Sequence, residues 1–272
     1  MMTERIEMRC ILVIGGSDSS AGAGIQGDIK TGTAMGVDVC TAITAVTAQN
    51  SLGVQAVEPV SIAMLQAQIA SVCSDTPPHA VKLGMLYDAA HVRVVDMAMR
   101  KYALQNTVCD PVLVSTSGSM LLDRQGGEAL LSLLPAFALL TPNAAEVAAL
   151  TGMPVRNRAE LLSAGRALLD HGANALLLKG GHLDGDDSTD LLLQKHMAEP
   201  LLFPAPRIDT RNDHGTGCAL ATAIAAGLAL GMALPEAVAA GCKFVHSALE
   251  RSVHLWSGSG RGSMDLTGIT CR

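Results

Sequence analysis

Aromatic side chains are nearly missing from this 272-residue chain: one Trp, two Tyr and three Phe account for 2% of it. A core without rings must be filled by smaller groups. The hydrophobic fraction of 49% and the 27 glycines imply Ala, Leu, Val and Met packed closely. Charged residues are also sparse, at 16%, and with so much apolar content global disorder is excluded. The formal charge of −6 excludes a basic surface of the kind that binds nucleic acid or an anionic membrane. A local basic pocket for a phosphate stays open.

No C-x-x-C pair occurs among the seven cysteines, which are scattered from Cys10 to Cys271. An odd set without a framework reads as reduced thiols in a cytoplasmic protein. The opening MMTERIEMRC carries Glu4 and Glu7, and the apolar run Cys10–Ile14 is too short for a signal sequence. From Gly215 to Pro235 no residue is charged, a length that could span a bilayer. That stretch is rich in Ala and Gly and opens with a Gly-Thr-Gly loop, so it reads as a buried helix, with no membrane partner. Nor does a Walker A G-K-[ST] occur.

What is present is an alternation of short apolar runs with longer amphipathic ones, the pattern of an α/β layered domain over residues 1–272. It predicts strands at Ile11–Gly15, Asp38–Ala45, Ala80–Gly84, Thr107–Asp110, Ala138–Leu140 and Ala175–Lys179. Helices are expected at Gly24–Met35, Ile62–Ser74, Ala89–Lys101, Gly126–Leu134, Ala144–Leu150 and Arg158–His171. Asp190–Gln194 and Leu201–Pro204 read as an antiparallel hairpin at the sheet edge, followed by helices Gly217–Leu230 and Pro235–Arg251. Such spacing implies right-handed crossovers and a mostly parallel sheet buried on both faces. In such sheets ligands lie beyond the carboxyl ends of the strands.

The chemistry-bearing stretches fall at those ends. Asn212-Asp213-His214-Gly215-Thr216-Gly217-Cys218 runs straight into the uncharged helix. Glycines around a Thr let successive N–H groups face one concavity, and the helix adds its positive dipole end, which makes an anion site. The alternative is an ordinary glycine turn. Cys218 stands in the first turn, where the dipole favours a thiolate; on local grounds alone a small buried core residue is the stronger reading.

Gly15–Gly24 is a glycine-rich loop after the first strand, read as a close approach to a small ligand or a cover, and not as a dinucleotide fingerprint. Asp28, on the following helix, reaches toward the same cleft or is a solvated carboxylate. Asn143 and Glu146 in Thr141-Pro142-Asn143-Ala144-Ala145-Glu146 suit a capping box and equally a metal role. Asp110, ending another strand, is an oxygen ligand that could join Glu146 at Mg²⁺. Lys179, in Lys179-Gly180-Gly181-His182, offers a cation for phosphate or is a surface lysine at a turn.

Seven segments resemble, in order, the hydroxymethylpyrimidine/phosphomethylpyrimidine kinases of thiamine biosynthesis, in the ribokinase-like superfamily. They are GGSDSSAGAGIQGDIKT, TAVTAQNSLGV, VKLGML, CDPVLVSTSG, LLTPNAAEV, LLLKGGH and NDHGTGC. The resemblance implies a three-layer α/β/α fold, ATP and Mg²⁺ as co-substrates, and a homodimer. It places Gly215, Thr216 and Gly217 in the anion-hole loop and makes Cys218 the catalytic base, where related sugar kinases have Asp. Gln49 matches the residue that recognises the pyrimidine, a role for which a carboxamide supplies donor and acceptor. Met85 and Val112 match the ring's apolar walls, Asn143 and Glu146 an N-x-x-E motif near Mg²⁺, and Lys179 a place near the nucleotide phosphates. Thr116 stands where the family has Lys, and the segment Gly258–Ser263 lacks the family's Pro and His. The runner-up is a pyridoxal or pyridoxine kinase of the same superfamily. A non-catalytic pyrimidine-binding relative is the alternative from another class.

Overall fold

A computed structural model describes residues 8–114, 120–181, 188–256 and 258–267. Its nine strands are β1 (Cys10–Asp18), β2 (Asp38–Asn50), β3 (Gly53–Pro59), β4 (Ala80–Leu83), β5 (Thr107–Cys109), β6 (Leu139–Leu140), β7 (Ala175–Leu178), β8 (Asp190–Gln194) and β9 (Leu201–Phe203). They form one sheet in the order β3-β2-β1-β4-β5-β6-β7-β8-β9. The pairs from β2 through β7 are parallel. Antiparallel strands close both ends, β3 on one side and the β8–β9 hairpin on the other.

Eight α-helices cover the two faces: α1 (Gly24–Ala34), α2 (Ile62–Asp75), α3 (Ala89–Lys101), α4 (Arg124–Leu131), α5 (Ala144–Thr151), α6 (Arg158–Asp170), α7 (Thr216–Ala229) and α8 (Leu234–Ser252). Side chains alternate along a strand, so β1 divides its apolar residues between two cores. Leu12 and Ile14 join α2 to α6 on one face. Ile11 and Val13 join α1, α7 and α8 on the other. The result is the expected three-layer α/β/α arrangement with a mostly parallel central sheet. The uncharged stretch after Gly215 is α7, whose alanines are buried between sheet and α8. No helix of the described residues is long and apolar enough to cross a membrane.

Several elements differ from the sequence expectation; β1, for one, runs on past Gly15 to Asp18. β3 was not expected, because GVQAVEP lacks an apolar run; it is a half-exposed edge strand paired with β2 alone. β2 continues past Ala45 to Asn50, carried by that pairing. Helix α4 begins at Arg124, ahead of the glycines, because Asp123 caps it by accepting from Gly126 N.

Candidate active site

The strands β5, β6 and β7 deliver four polar residues to one point. Asp110 follows β5, Thr141 and Asn143 follow β6, and Lys179 follows β7. Lys179 N–H donates to the Pro142 carbonyl and pairs with Asn143 across a β-bridge, which aligns the two loops. Lys179 Nζ then lies 2.9 Å from Asp110 Oδ1 and 3.7 Å from Glu146 Oε2. Thr141 Oγ1 donates to the same Asp110 oxygen at 3.2 Å. Burial alone would strip the lysine of its proton; Asp110 and Glu146 outweigh it and hold Nζ charged.

Glu146 has two duties. It completes a capping box with Asn143, accepting from Asn143 N at 2.7 Å while Asn143 Oδ1 accepts from Glu146 N at 3.0 Å. Its side chain also faces Lys179. Burial, opposed by Lys179 and reinforced by Asp110, pushes its carboxyl up to about 7. Cap and site group are therefore one residue.

These groups meet the head of α7. Gly215 precedes the helix with φ +88° and no side chain caps it; Thr216 N turns back to the Asp213 carbonyl at 3.4 Å, which leaves the following first-turn N–H groups for an anion. A Cβ on Gly217 would lie 3.2 Å from Lys179 Nζ and 3.3 Å from Asp110 Oδ2, which is why the position takes glycine. Beside it stands Cys218, partly exposed. The helix dipole favours its thiolate, but the surroundings that the fold brings up act the other way. Burial pushes the thiol up to about 11, Lys82 acts against that, and the charges of Asp28 and Asp110 add to it.

The β1–α1 loop packs onto this helix start. Asp18 organises the loop, accepting from Ser20 N, Gly22 N and Ala23 N. Despite burial, His214 and those donors hold the Asp18 carboxyl well below the usual range. Gly22, Gly24 and Gly27 keep a G-x-G-x-x-G spacing. Here it serves packing: the Gly22 carbonyl presses on Gly215, and a Cβ on Gly22 would strike Ser263 and His214.

Gln49, at the end of β2, is tied to the loop by two 2.8 Å bonds between its backbone and Ser19 Oγ. Its amide nitrogen is placed 3.1 Å from His214 Nε2, which is also 3.1 Å from Asp18 Oδ2. One ring nitrogen cannot donate to a carboxylate and accept from an amide together. We therefore assign the Nε2 proton toward Asp18, with the Gln49 amide turned so that its oxygen faces the ring.

The remaining residues fall around this frame. Met85 is 8% exposed, with its sulfur beside Gly16, and Val112 is partly exposed two residues past Asp110. Asp28 is corrected: it does not line the cleft. Its side chain is 1% exposed, with Oδ2 on Lys82 Nζ at 2.8 Å and Oδ1 on Thr222 Oγ1 at 2.6 Å. Lys82, Asp18, His214 and Thr141 were not singled out from the sequence. Each acts through a partner distant in the chain, and only the charged Lys82 inside the apolar AVKL strand gave a local sign. Thr116, Ser117 and His182 lie outside the described residues.

A sheet of this order, with its anion-facing groups gathered at the parallel strand ends against a glycine-led helix, is that of the ribokinase-like kinases, and this chain is one of them. The family model described as phosphomethylpyrimidine kinase matches residues 18–264. A hydroxymethylpyrimidine/phosphomethylpyrimidine kinase of Rhizobium meliloti is 46% identical over 253 residues, covering 92% of this chain and 94% of that protein. The crystal structure of a phosphomethylpyrimidine kinase from Clostridium difficile superposes with a TM-score of 0.77 at 37% identity, over 89% of this chain and 99% of that one. The pyridoxal kinase of Staphylococcus aureus, solved with AMP-PCP and pyridoxal, gives 0.86 at 30% identity, over 96% and 94%. The chain belongs to the phosphomethylpyrimidine kinase family, and it is a kinase of thiamine biosynthesis.

Proposed function

We propose that the chain transfers the terminal phosphoryl group of ATP to the hydroxymethyl group of 4-amino-5-hydroxymethyl-2-methylpyrimidine, and then to the resulting monophosphate to give the diphosphate. The observation that carries this is the uncapped head of α7, with Cys218 in its first turn and Lys179 and Asp110 against Gly217. The Gly215–Gly217 amides would share the charge that develops on the transferring phosphoryl oxygens. Lys179 supplies a cation on the same side. The substrate alcohol loses its proton as its oxygen bonds to phosphorus, and the minor thiolate form of Cys218, favoured by Lys82, accepts it.

Asp110 and Glu146 fit a divalent cation. Two buried carboxylates face one lysine, which leaves excess negative charge and hard oxygen donors beside an anion-binding helix end. Mg²⁺ is commonly held by one or two carboxylates together with substrate phosphates and water. Bound there, it would neutralise triphosphate charge. Gln49, Met85 and Val112 are the proposed substrate contacts, with Gln49 supplying the carboxamide for the aminopyrimidine edge.

The test is a mass-resolved assay with ATP–Mg²⁺ and hydroxymethylpyrimidine, its monophosphate and pyridoxal offered separately and in competition. Conversion of both pyrimidines, in preference to pyridoxal, is expected. Reaction of pyridoxal alone would transfer the assignment to the pyridoxal kinases, and binding without product would leave a non-catalytic relative.

A further inference from the structure

The end of the sheet opposite the kinase site carries a donor set that phosphoryl transfer does not use. Cys10 opens β1 in register with Asp38, which opens β2. Cys40, two residues along β2, shares that face because side chains alternate. Its Sγ lies 3.5 Å from Cys10 Sγ, and both sulfurs and an Asp38 carboxylate oxygen lie within 4.8 Å of one another. Cys10 is buried, Cys40 half-buried and Asp38 exposed, so the trio opens to water on one side. Val39 N donates to Asp38 Oδ1 at 3.0 Å and helps hold the carboxylate next to the thiols. Cys73, in the last turn of α2, belongs to the core cluster against which Cys40 packs. That helix end carries partial negative charge, which favours a cation.

Sulfur geometry distinguishes the uses of such a pair. Two thiolates on one tetrahedral zinc, each about 2.3 Å from it, stand about 3.8 Å apart. Sulfurs in a disulfide stand about 2.05 Å apart. The observed separation needs a small adjustment for the first and a large one for the second. We propose that Cys10, Cys40 and Asp38 form a site for a thiophilic divalent cation of the zinc class, with water as fourth ligand, that clamps the start of β1 to the start of β2. The cation displaces two thiol protons to solvent. Because both thiol protons must leave, uptake strengthens as pH rises. Since β1 runs from Cys10 to Asp18, its extended rise puts the clamp about 26 Å from the active-site loop. The cation therefore stabilises the sheet without entering the chemistry.

Cobalt is the direct probe. In a Cys218→Ala background, which removes the active-site thiol, one equivalent of Co²⁺ should give a saturable thiolate-to-cobalt charge-transfer band that Zn²⁺ abolishes. Zn²⁺ should also raise the melting temperature. Adding Cys40→Ser should remove both effects, while Cys40→Ser alone should leave turnover unchanged. Asp38→Asn, at an exposed position, should weaken Co²⁺ binding at least about tenfold and keeps the test valid if Cys40→Ser does not fold. No saturable band, or a band indifferent to Cys40→Ser and Asp38→Asn, overturns the site.

Discussion

Lys82 Nζ lies 2.8 Å from Asp28 Oδ2, and each side chain is only 1% exposed. The pair joins β4 to α1, and Thr222 Oγ1 extends it to α7. Burial favours the neutral amine, but the carboxylates of Asp28 and Asp110 hold Lys82 charged. The pair is thus the foundation under Cys218: it fixes the helix that presents the thiol and places a cation within electrostatic reach of it.

Breaking one half of this pair leaves an uncompensated buried charge. Asp28→Leu and Lys82→Met should each destabilise the fold by about 3–5 kcal/mol, and the double variant by less than either. Denaturant unfolding of the three variants measures this. Equal losses that add in the double variant would show that the charges are not coupled.

The Cys218 thiol, raised from 9.0 to about 11, should be roughly a hundredfold poorer in thiolate near neutral pH than an unperturbed one. Iodoacetamide labelling followed by peptide mass spectrometry should show Cys218 reacting correspondingly slowly at pH 7.5, with the rate rising about tenfold per pH unit. Lys82→Met removes the cation that favours thiolate. In variant protein that stays folded, labelling should slow further. Rapid labelling at neutral pH would contradict the assigned environment.

Glu146 has its carboxyl raised from 4.5 to about 7. A raised acid binds a proton more tightly in the folded state, so its contribution to stability is full below pH 4.5 and is lost as pH rises through about 7. Glu146→Gln should therefore stabilise the ligand-free protein at pH 8 and flatten the pH dependence between 5 and about 7, because Gln keeps the acceptor of the capping box. The same variant should lose turnover and Mg²⁺ dependence. Melting temperatures across pH, paired with activity, check both halves.

Gly215 combines φ +88° with a Gly22 carbonyl where a Cβ would go. Gly215→Ala should cost at least about 1–2 kcal/mol from the left-handed backbone alone. It should also displace the anion-facing amides, with turnover reduced about 10²–10³-fold. Retained turnover would remove the amides from catalysis.

The layered fold could be read from the sequence because buried parallel strands are short apolar runs, and Cys10–Ile14, Ala80–Leu83 and Ala175–Leu178 are of that kind. β3 escaped because an edge strand exposed on its outer side needs no such run. The glycine loop, Asp110, Asn143, Glu146 and Lys179 were visible because each follows a strand. Asp28 was misplaced, and Lys82 and His214 were overlooked, because their meaning lies in partners far along the chain: Lys82 with Asp28, His214 with Asp18 and Gln49. The Cys218 environment was only partly legible for the same reason. The helix dipole is local and legible, whereas burial and the carboxylates of Asp28 and Asp110 arrive through the fold.

The central claim is that the reacting alcohol meets Cys218 at the head of α7. Single-turnover phosphoryl transfer by Cys218→Ala and Cys218→Asp, with ATP affinity measured on the same samples, tests it most directly. The base assignment predicts that Cys218→Ala lowers the transfer rate by about 10²–10⁴ while ATP affinity is kept, and that Cys218→Asp recovers part of the rate with its pH dependence moved to lower pH. Transfer by well-folded Cys218→Ala at the parent rate would contradict it.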